Sequence, residues 1–201
     1  MNNKVIFCLM GKSSSGKDTI KKYLLEKDKD LSAMIPFTTR PPRKGEKNHI
    51  DYEFINREDF AARDDILEHR MYQVNLSNGE KDTWYYGHFF PTENYSLMIG
   101  TLETYNFMKS NFRNQYVIIP IYITISEEDR LYRMILRENK NEVKNYKELS
   151  RRFIKDQSDF SMENLEKSNI TKEYIFANND LKSDGKDIYN FIKRMKEWHK
   201  V

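Results

Sequence analysis

Two spacings of apolar residues run along this chain, one of two residues or continuous and one of three to four. Val5-Ile6-Phe7-Cys8-Leu9-Met10 is apolar throughout, the pattern of a strand buried on both faces. Ile20-Lys21-Lys22-Tyr23-Leu24-Leu25 then places apolar residues at helical spacing. Leu31 to Phe37 reads as a short, weak strand, and two prolines and a glycine make a loop of residues 38–46. Tyr52-Glu53-Phe54-Ile55 alternates as a half-buried strand does. A helix is predicted from Asn56 or Arg57 through Phe60, and Ile66-Leu67-Glu68-His69 begins another short strand. Residues 73–83 are polar and turn-rich, with Asn78-Gly79 as a hairpin signal.

Ser96 to Gly100 reads as a returning core strand, followed by a helix with Leu102, Tyr105, Met108 and Phe112 on one face. Val117 to Ile123 is the next strand. Its Pro120 lacks a ladder donor, which predicts a bulge or an edge position. Ser126-Glu127-Glu128-Asp129 has the form of a capping box and opens a helix carrying Arg130, Arg133 and Arg137. Residues 138–147 read as a charged loop, 147–167 as one helix, and Tyr174-Ile175-Phe176 as a strand. The last helix carries Ile188, Phe191, Ile192 and Met195 at i, i+3, i+4 and i+7. Strands alternating with helices predict an α/β fold with a mostly parallel sheet flanked by helices. Residues 37–91 stand apart as an inserted lobe.

Composition narrows the function classes. At 201 residues the chain fits one domain with room for small insertions. Lys plus Arg number 34 against 31 Asp plus Glu, so the net charge of +3 lacks the strong positive field of a nucleic-acid binder. The single cysteine, Cys8, falls inside the first strand and reads as a small core residue in a reducing compartment. No apolar stretch approaches membrane-spanning length and no cleavable signal pattern opens the chain, so a soluble cytoplasmic protein is expected. His49, His69, His88 and His199 show no metal spacing and read as scattered surface residues.

The chemistry begins at Gly11-Lys12-Ser13-Ser14-Ser15-Gly16-Lys17-Asp18-Thr19. A G-x-x-x-x-G-K turn between a buried strand and a helix is the setting of a phosphate-binding loop. Its glycines let successive N–H groups curl toward phosphate oxygens, and the helix adds unpaired N–H groups and the positive end of its dipole. Lys17 supplies a mobile positive charge for the β- and γ-phosphates. The alternative, a plain Gly/Ser turn, lacks a reason for the buried strand that leads in. The residue after the lysine is Asp18, where a hydroxyl is usual. Its carboxylate still suits Mg²⁺, which prefers oxygen ligands.

A second basic feature follows. Arg40 and Arg43 lie three apart on a proline-stiffened loop, with Tyr52 and Tyr86 further on. Guanidinium forks match phosphate oxygens, each charge-assisted contact contributing about 1.5–3 kcal/mol, and tyrosine hydroxyls can complete the shell. Spacing alone favours a solvated basic loop over a phosphate site. Trp84, beside Tyr85 and Tyr86, reads as packing.

Thr38-Thr39-Arg40-x-Pro42-Arg43-x-Gly45-Glu46, followed by Tyr52-x-Phe54, resembles the monophosphate-binding lobe of guanylate kinases. So do Leu67-Glu68, Tyr85-Tyr86-Gly87, the helix with Arg133 and Arg137, Arg151-Arg152, and Asn178-Asn179-Asp180-Leu181. The resemblance runs in order over nearly the whole chain. It implies a P-loop kinase fold with a core over residues 1–36, 92–125 and 157–201, a monophosphate lobe over 37–91 and a helical lid over 126–156. It also implies ATP-dependent phosphoryl transfer with Mg²⁺ to a nucleoside monophosphate, GMP or dGMP, in a monomer or homodimer without nucleic-acid or membrane partners. Arg40, Arg43, Tyr52 and Tyr86 would hold the acceptor phosphate and Glu68 the guanine N1 and N2 groups. Arg133, Arg137 and Arg152 would close on the triphosphate, with Asn178 beside the adenine.

The departures concern the base. Pro36 stands where the family places a serine that reads the guanine O6, and Met98-Ile99-Gly100-Thr101 replaces Leu-Asp-Ile-Asp, Thr101 keeping one hydroxyl there. The segment before Tyr85 is extended by residues 75–83. These differences leave open a kinase of another phosphorylated acceptor, such as a ribose bisphosphate. A binding module that has abandoned catalysis is a third reading, although such modules lose the phosphate loop and Gly11, Gly16 and Lys17 survive here. A monophosphate oxygen is already anionic near neutral pH, so a kinase of this type needs no general base. Its catalysis is positioning and charge neutralisation.

Overall fold

The computed structural model describes residues 4–42, 45–75, 80–140 and 144–200. Strand β1 (Lys4–Met10) is buried from Val5 onward and lies at the centre of a parallel sheet. Its side chains alternate between two cores. Val5, Phe7 and Leu9 pack with Ile20 and Leu24 of helix α1 (Lys17–Lys27), while Ile6, Cys8 and Met10 enter the opposite core. Each such side chain contributes about 1.5–3 kcal/mol on burial, so the strand that delivers the Gly11 turn is among the most firmly fixed elements of the chain.

Four short elements follow: β2 (Ser32–Ala33), β3 (Phe37–Thr38), β4 (Glu53–Phe54) and α2 (Arg57–Ala62). The weak strand expected over 31–37 is two separate two-residue strands, which serve different sheets. Helix α2 starts where Asn56 accepts a hydrogen bond from the Asp59 amide at 2.6 Å. Next come β5 (Ile66–Asn75) and β6 (Lys81–Phe89), an antiparallel hairpin far longer than the strand expected from Ile66 to His69. Its polar residues sit in a continuous ladder, Gln73 opposite Thr83 and Tyr72 opposite Trp84, so cross-strand pairing overrides their turn preference. The Asn78-Gly79 turn lies outside the described residues.

The chain returns to the core as β7 (Tyr95–Ile99), then α3 (Leu102–Phe112) and β8 (Tyr116–Thr124). Pro120 precedes the part of β8 that pairs with the next neighbouring strand, so at that residue the strand has β1 on one side only. This satisfies the missing donor without a bulge. Helix α4 (Glu127–Glu138) is capped by Ser126, whose hydroxyl accepts from the Asp129 amide at 3.0 Å. The loop expected over 138–147 is shorter than its range, because α5 (Tyr146–Asp159) opens at the Asn145 cap, and residues 141–143 lie outside those described.

The single helix expected over 147–167 is two. It stops at Phe160, and Ser161 caps α6 (Met162–Lys167) by accepting from the Asn164 amide at 3.3 Å. A serine that bonds the backbone locally competes with helix continuation. A 3-10 turn (Lys172–Tyr174) then takes Tyr174 out of the expected strand, leaving β9 (Ile175–Ala177), and α7 (Leu181–Trp198) closes the chain.

The strand order β2-β7-β1-β8-β9 is parallel throughout, with α1 and α7 residues in one core and α3 and α6 residues in the other. A second, four-stranded sheet, β4-β3-β6-β5, is built wholly from residues 37–89. The Gly11 turn lies at the carboxyl end of the central strand, where open α/β sheets place their ligand crevice.

Candidate active site

The turn from Gly11 to Gly16 is shaped by three residues with positive φ: Gly11 at 150°, Ser14 at 63° and Gly16 at 93°. The two glycines are required by space as well. A Cβ on Gly11 would lie 2.4 Å from the Ile123 carbonyl oxygen, and one on Gly16 would lie 2.1 Å from Asn178 Nδ2. Asn178 is 5% exposed and donates to the Ser15 carbonyl at 2.7 Å, while its own carbonyl accepts from Arg133 at 3.2 Å. It therefore braces the turn from the end of β9. Lys17 bends back to donate to the Gly11 and Lys12 carbonyls at 2.7 and 3.0 Å. Burial pushes the Lys17 ammonium down to about 8, and Arg137 and Arg130 push the same way against Asp18 and Asp156.

Other groups around the turn are engaged by the neighbouring helices. The Ser13 amide donates to Asp156 Oδ2 of α5 at 2.7 Å. Lys12 turns outward to Glu127 and Gln157, each at 2.5 Å. Asp156 also accepts from Arg130 at 3.1 Å, whose guanidinium is fully buried 3.9 Å above the Phe153 ring. The hydroxyl of Ser15 is buried without a hydrogen-bond partner among the described residues.

A cavity of about 980 Å³ runs from this turn to the second sheet. Gly11, Ser13, Lys17 and Asp18 line one end, and Tyr52, Tyr86, His88 and Thr101 line the other. A second cavity of about 530 Å³ opens on the far side of the turn, between Gly16, Thr19, Arg133, Arg137 and Asn178. Arg137, Lys17 and Asp18 line both. Arg152 lies elsewhere, along a cavity of about 410 Å³ with Tyr52 and Tyr86, where it donates to Glu148 at 2.8 Å. Hydrogen bonding from Arg151 holds Glu148 down at about 2, with Arg152 adding to the effect against burial.

Arg40 is 4% exposed and its fork is filled by Glu46 in a bidentate pair at 2.7 and 2.6 Å, with the Pro41 carbonyl at 2.9 Å. The guanidinium also lies 4.9 Å above the Tyr52 ring. Burial favours the neutral form of Arg40, but Glu46 outweighs it and holds the group above its ordinary value. Arg43 lies outside the described residues.

The hairpin face carrying Glu68, Arg70 and Tyr72 pairs with His88, Tyr86 and Trp84 of β6. His88 corrects the expectation of a surface histidine. It is 1% exposed, and its Nδ1 meets Glu68 Oε1 at 2.7 Å. Thr101 is the cap of α3, accepting from the Thr104 amide at 3.2 Å and from Arg70 Nη1 at 3.3 Å. Trp84 donates to Asp82 at 2.8 Å. Glu46, Arg70, His88, Arg130 and Asp156 were not legible as site residues. Glu46 stood within a quoted motif and pairs with Arg40 in the same loop, whereas the other four gain their meaning from contacts between elements distant in sequence.

The guanylate kinase family model matches residues 3–91. The guanylate kinase of Clostridium perfringens strain 13 is 45% identical over 71 residues, 34% of this chain and 33% of that one. That of Campylobacter jejuni strain RM1221 is 27% identical over 143 residues, 67% and 65% of the two chains. In fold, the crystal structure of guanylate kinase from Anaplasma phagocytophilum matches 97% of this chain and 87% of its own, with a TM-score of 0.58 at 19% identity. Over residues 3–91 the chain is similar to guanylate kinases, and it shares their fold. Its matches span about a third of the length of the first curated relatives, and the family model stops at residue 91, so the family's likeness is strongest over the phosphate turn and the second sheet. No helix of the described residues is long and apolar enough to cross a membrane.

Proposed function

We propose that the chain catalyses ATP-dependent phosphoryl transfer to a nucleoside monophosphate, with GMP or dGMP as acceptor and the diphosphate as product. The observation that carries this reading is the 980 Å³ cavity, which joins Lys17 and the Ser13 amide to Tyr52 and Tyr86 in one space. A donor phosphate cradled by the turn and an acceptor phosphate among the tyrosines would share it, which suits in-line transfer.

The roles divide by position. Lys17 and the turn amides hold the donor phosphates, and Arg133 and Arg137 stand over the same turn from α4. Tyr52 and Tyr86 hold the acceptor phosphate, with Arg40 behind them, and Glu68 holds the base. The second sheet moves as the monophosphate lobe, and α4 and α5 as the lid. Asp18 is exposed at the first turn of α1, beside Thr19, and lines both cavities. These oxygen donors fit Mg²⁺, and among the described residues no cluster of three metal-ligating side chains competes for it. When bound there, Mg²⁺ neutralises phosphate charge. Asp18 and Thr19 would hold it from the protein side.

The test is a phosphoryl-transfer screen with ATP and Mg²⁺ against GMP, dGMP, AMP, other monophosphates and ribose bisphosphate. Turnover of GMP or dGMP above the rest is expected. Turnover of ribose bisphosphate alone, or ATP binding without any transfer, overturns the assignment.

A further inference from the structure

We propose that the outer face of α4 pairs with the same face of a second copy of this chain, the two helices running antiparallel about a twofold axis. The proposal needs only the fold and is independent of the phosphoryl-transfer reading.

A surface helix normally turns its apolar stripe to the core and its charges to water. Helix α4 largely does the reverse. Arg130 and Met134 are buried, Arg133 donates to the Asn178 carbonyl at 3.2 Å, and Arg137 lines both cavities beside the Gly11 turn. The outer side carries Leu131, Tyr132, Ile135 and Leu136, which are between 38% and 61% exposed. Leu131 and Ile135, like Tyr132 and Leu136, are four residues apart, so the four side chains form one contiguous patch. Phe107, Met162 and Trp198 are exposed too, but each stands on a different helix, as scattered surface apolar residues do. Contiguity is what marks an interaction surface.

The residues along the patch select its occupant. Glu128, Tyr132, Ile135 and Asn139 follow at steps of four, three and four, the spacing of a coiled-coil seam, with Leu131 and Leu136 on its flanks. The exposed Glu128 side chain has no hydrogen-bond or ion-pair partner among the described residues. Asn139 Oδ1 accepts from the Tyr146 hydroxyl at 2.6 Å, which leaves its amide N–H groups to donate. A parallel pair would set Glu128 against Glu128, like charge to like charge. An antiparallel pair with its axis between Arg133 and Met134 sets Tyr132 against the partner's Ile135. It also sets Glu128 against the partner's Asn139, acceptor to donor, and every contact is made twice. Self-complementarity of this kind is what a twofold interface requires. Arg133 and Arg137 lie on the opposite side of the helix, so pairing leaves the Gly11 turn open. One helix face falls below the roughly 800 Å² that each partner buries in a standard interface, so the dimer is weak, with a Kd on the order of 10 μM.

The experiment is sedimentation velocity without nucleotide, run from about tenfold below to about tenfold above that concentration. Wild type is expected to pass from the mass of one chain to nearly that of two. Tyr132→Lys and Ile135→Glu, each checked for folding by circular dichroism, should weaken the dimer at least about tenfold, since either homodimer buries an unpaired charge twice. An equimolar mixture of the two variants should return to within about threefold of wild type, because the introduced lysine then faces the introduced glutamate. If Ile135→Glu does not fold, Glu128→Lys, at an already exposed position, is expected to weaken the dimer by about threefold or more. A wild-type chain that stays monomeric at the highest concentration overturns the proposal. So does a dimer indifferent to these substitutions, or a mixture that associates no more tightly than its components.

Discussion

The Gly11 turn and the second sheet both carry positive charge, yet they hold it by different means. At the Gly11 turn Lys17 rests on two backbone carbonyls, and burial pulls its proton affinity down to about 8. At the second sheet Arg40 is clamped by a carboxylate in a bidentate pair and held above its ordinary value. The first cation is loosely held by neutral oxygens and can be recruited by any stronger anion. The second is fixed in direction by its fork and by the Tyr52 ring 4.9 Å below. Mobile charge suits the end where charge redistributes during transfer, and fixed charge suits the end that aims an acceptor.

The largest expected effect follows at the mobile end. Lys17→Met should lower kcat by about 10²–10³-fold, on the scale of losing a preorganised electrostatic contact. Thermal unfolding should change little at pH 7, because the burial that lowers Lys17 also means its charge is a cost to the fold. A Tm loss matching the loss of activity would show that Lys17 is structural. At the fixed end, Arg40→Ala should raise KM for GMP by about 10–100-fold and leave the ATP dissociation constant within about twofold. It also leaves Glu46 without its main cation, so Tm should fall. Equal effects on donor and acceptor would erase the distinction between the two ends.

Titration separates them further. The ordinary lysine value of 10.5 falls to about 8 for Lys17, so between those values the unfolded chain binds more protons than the folded one. Stability from this group therefore rises with pH over that window. Donor binding runs the other way, since the charge that phosphate needs is lost. The ATP kcat/KM is expected to fall about tenfold per pH unit above about 8. Arg40 keeps its proton throughout, so GMP binding should show no such limb. A flat ATP profile to pH 10 would show that Lys17 is not lowered in solution.

How far the sequence exposed these two ends differs too. The Gly11 turn was legible because its chemistry is local: strand, glycines and lysine fall within thirteen residues of one another, and helix α1 begins at Lys17 itself. The parallel order of the core was legible from strand–helix alternation. At the second sheet Glu68 and Tyr86 were legible through the family resemblance, but Arg70 and His88 beside them were not, because their placement depends on register. The ladder slips between Ile66 and Glu68, and a one-residue difference would have turned His88 to the opposite face. The same holds for Asp156, which meets the Ser13 amide from 143 positions away, and for the Ser161 cap that divides one expected helix into two. Periodicity identifies elements, and it carries no information about which elements touch.

The smallest effect concerns the contact that couples the mobile end to α5. Asp156 Oδ2 takes the Ser13 amide, a donor that a phosphate oxygen would also use, and so competes with ATP for it. Asp156→Asn keeps an acceptor of the same shape and removes its charge, which weakens its hold on the amide. ATP should bind about threefold more tightly, a difference of about 0.7 kcal/mol. Arg130, fully buried, would keep Glu127 and the Phe153 ring but lose one carboxylate. Tm should therefore fall by about 2–4 °C, the equivalent of roughly 1 kcal/mol at this chain length. Loss of the Asp156 charge also removes one of the two groups that hold the Lys17 proton on, so the descending limb of the ATP profile should begin at lower pH. Weaker ATP binding with an unmoved limb would mean that Asp156 supports the turn and does not compete for it. The mobile end would then be as firmly preset as the fixed one.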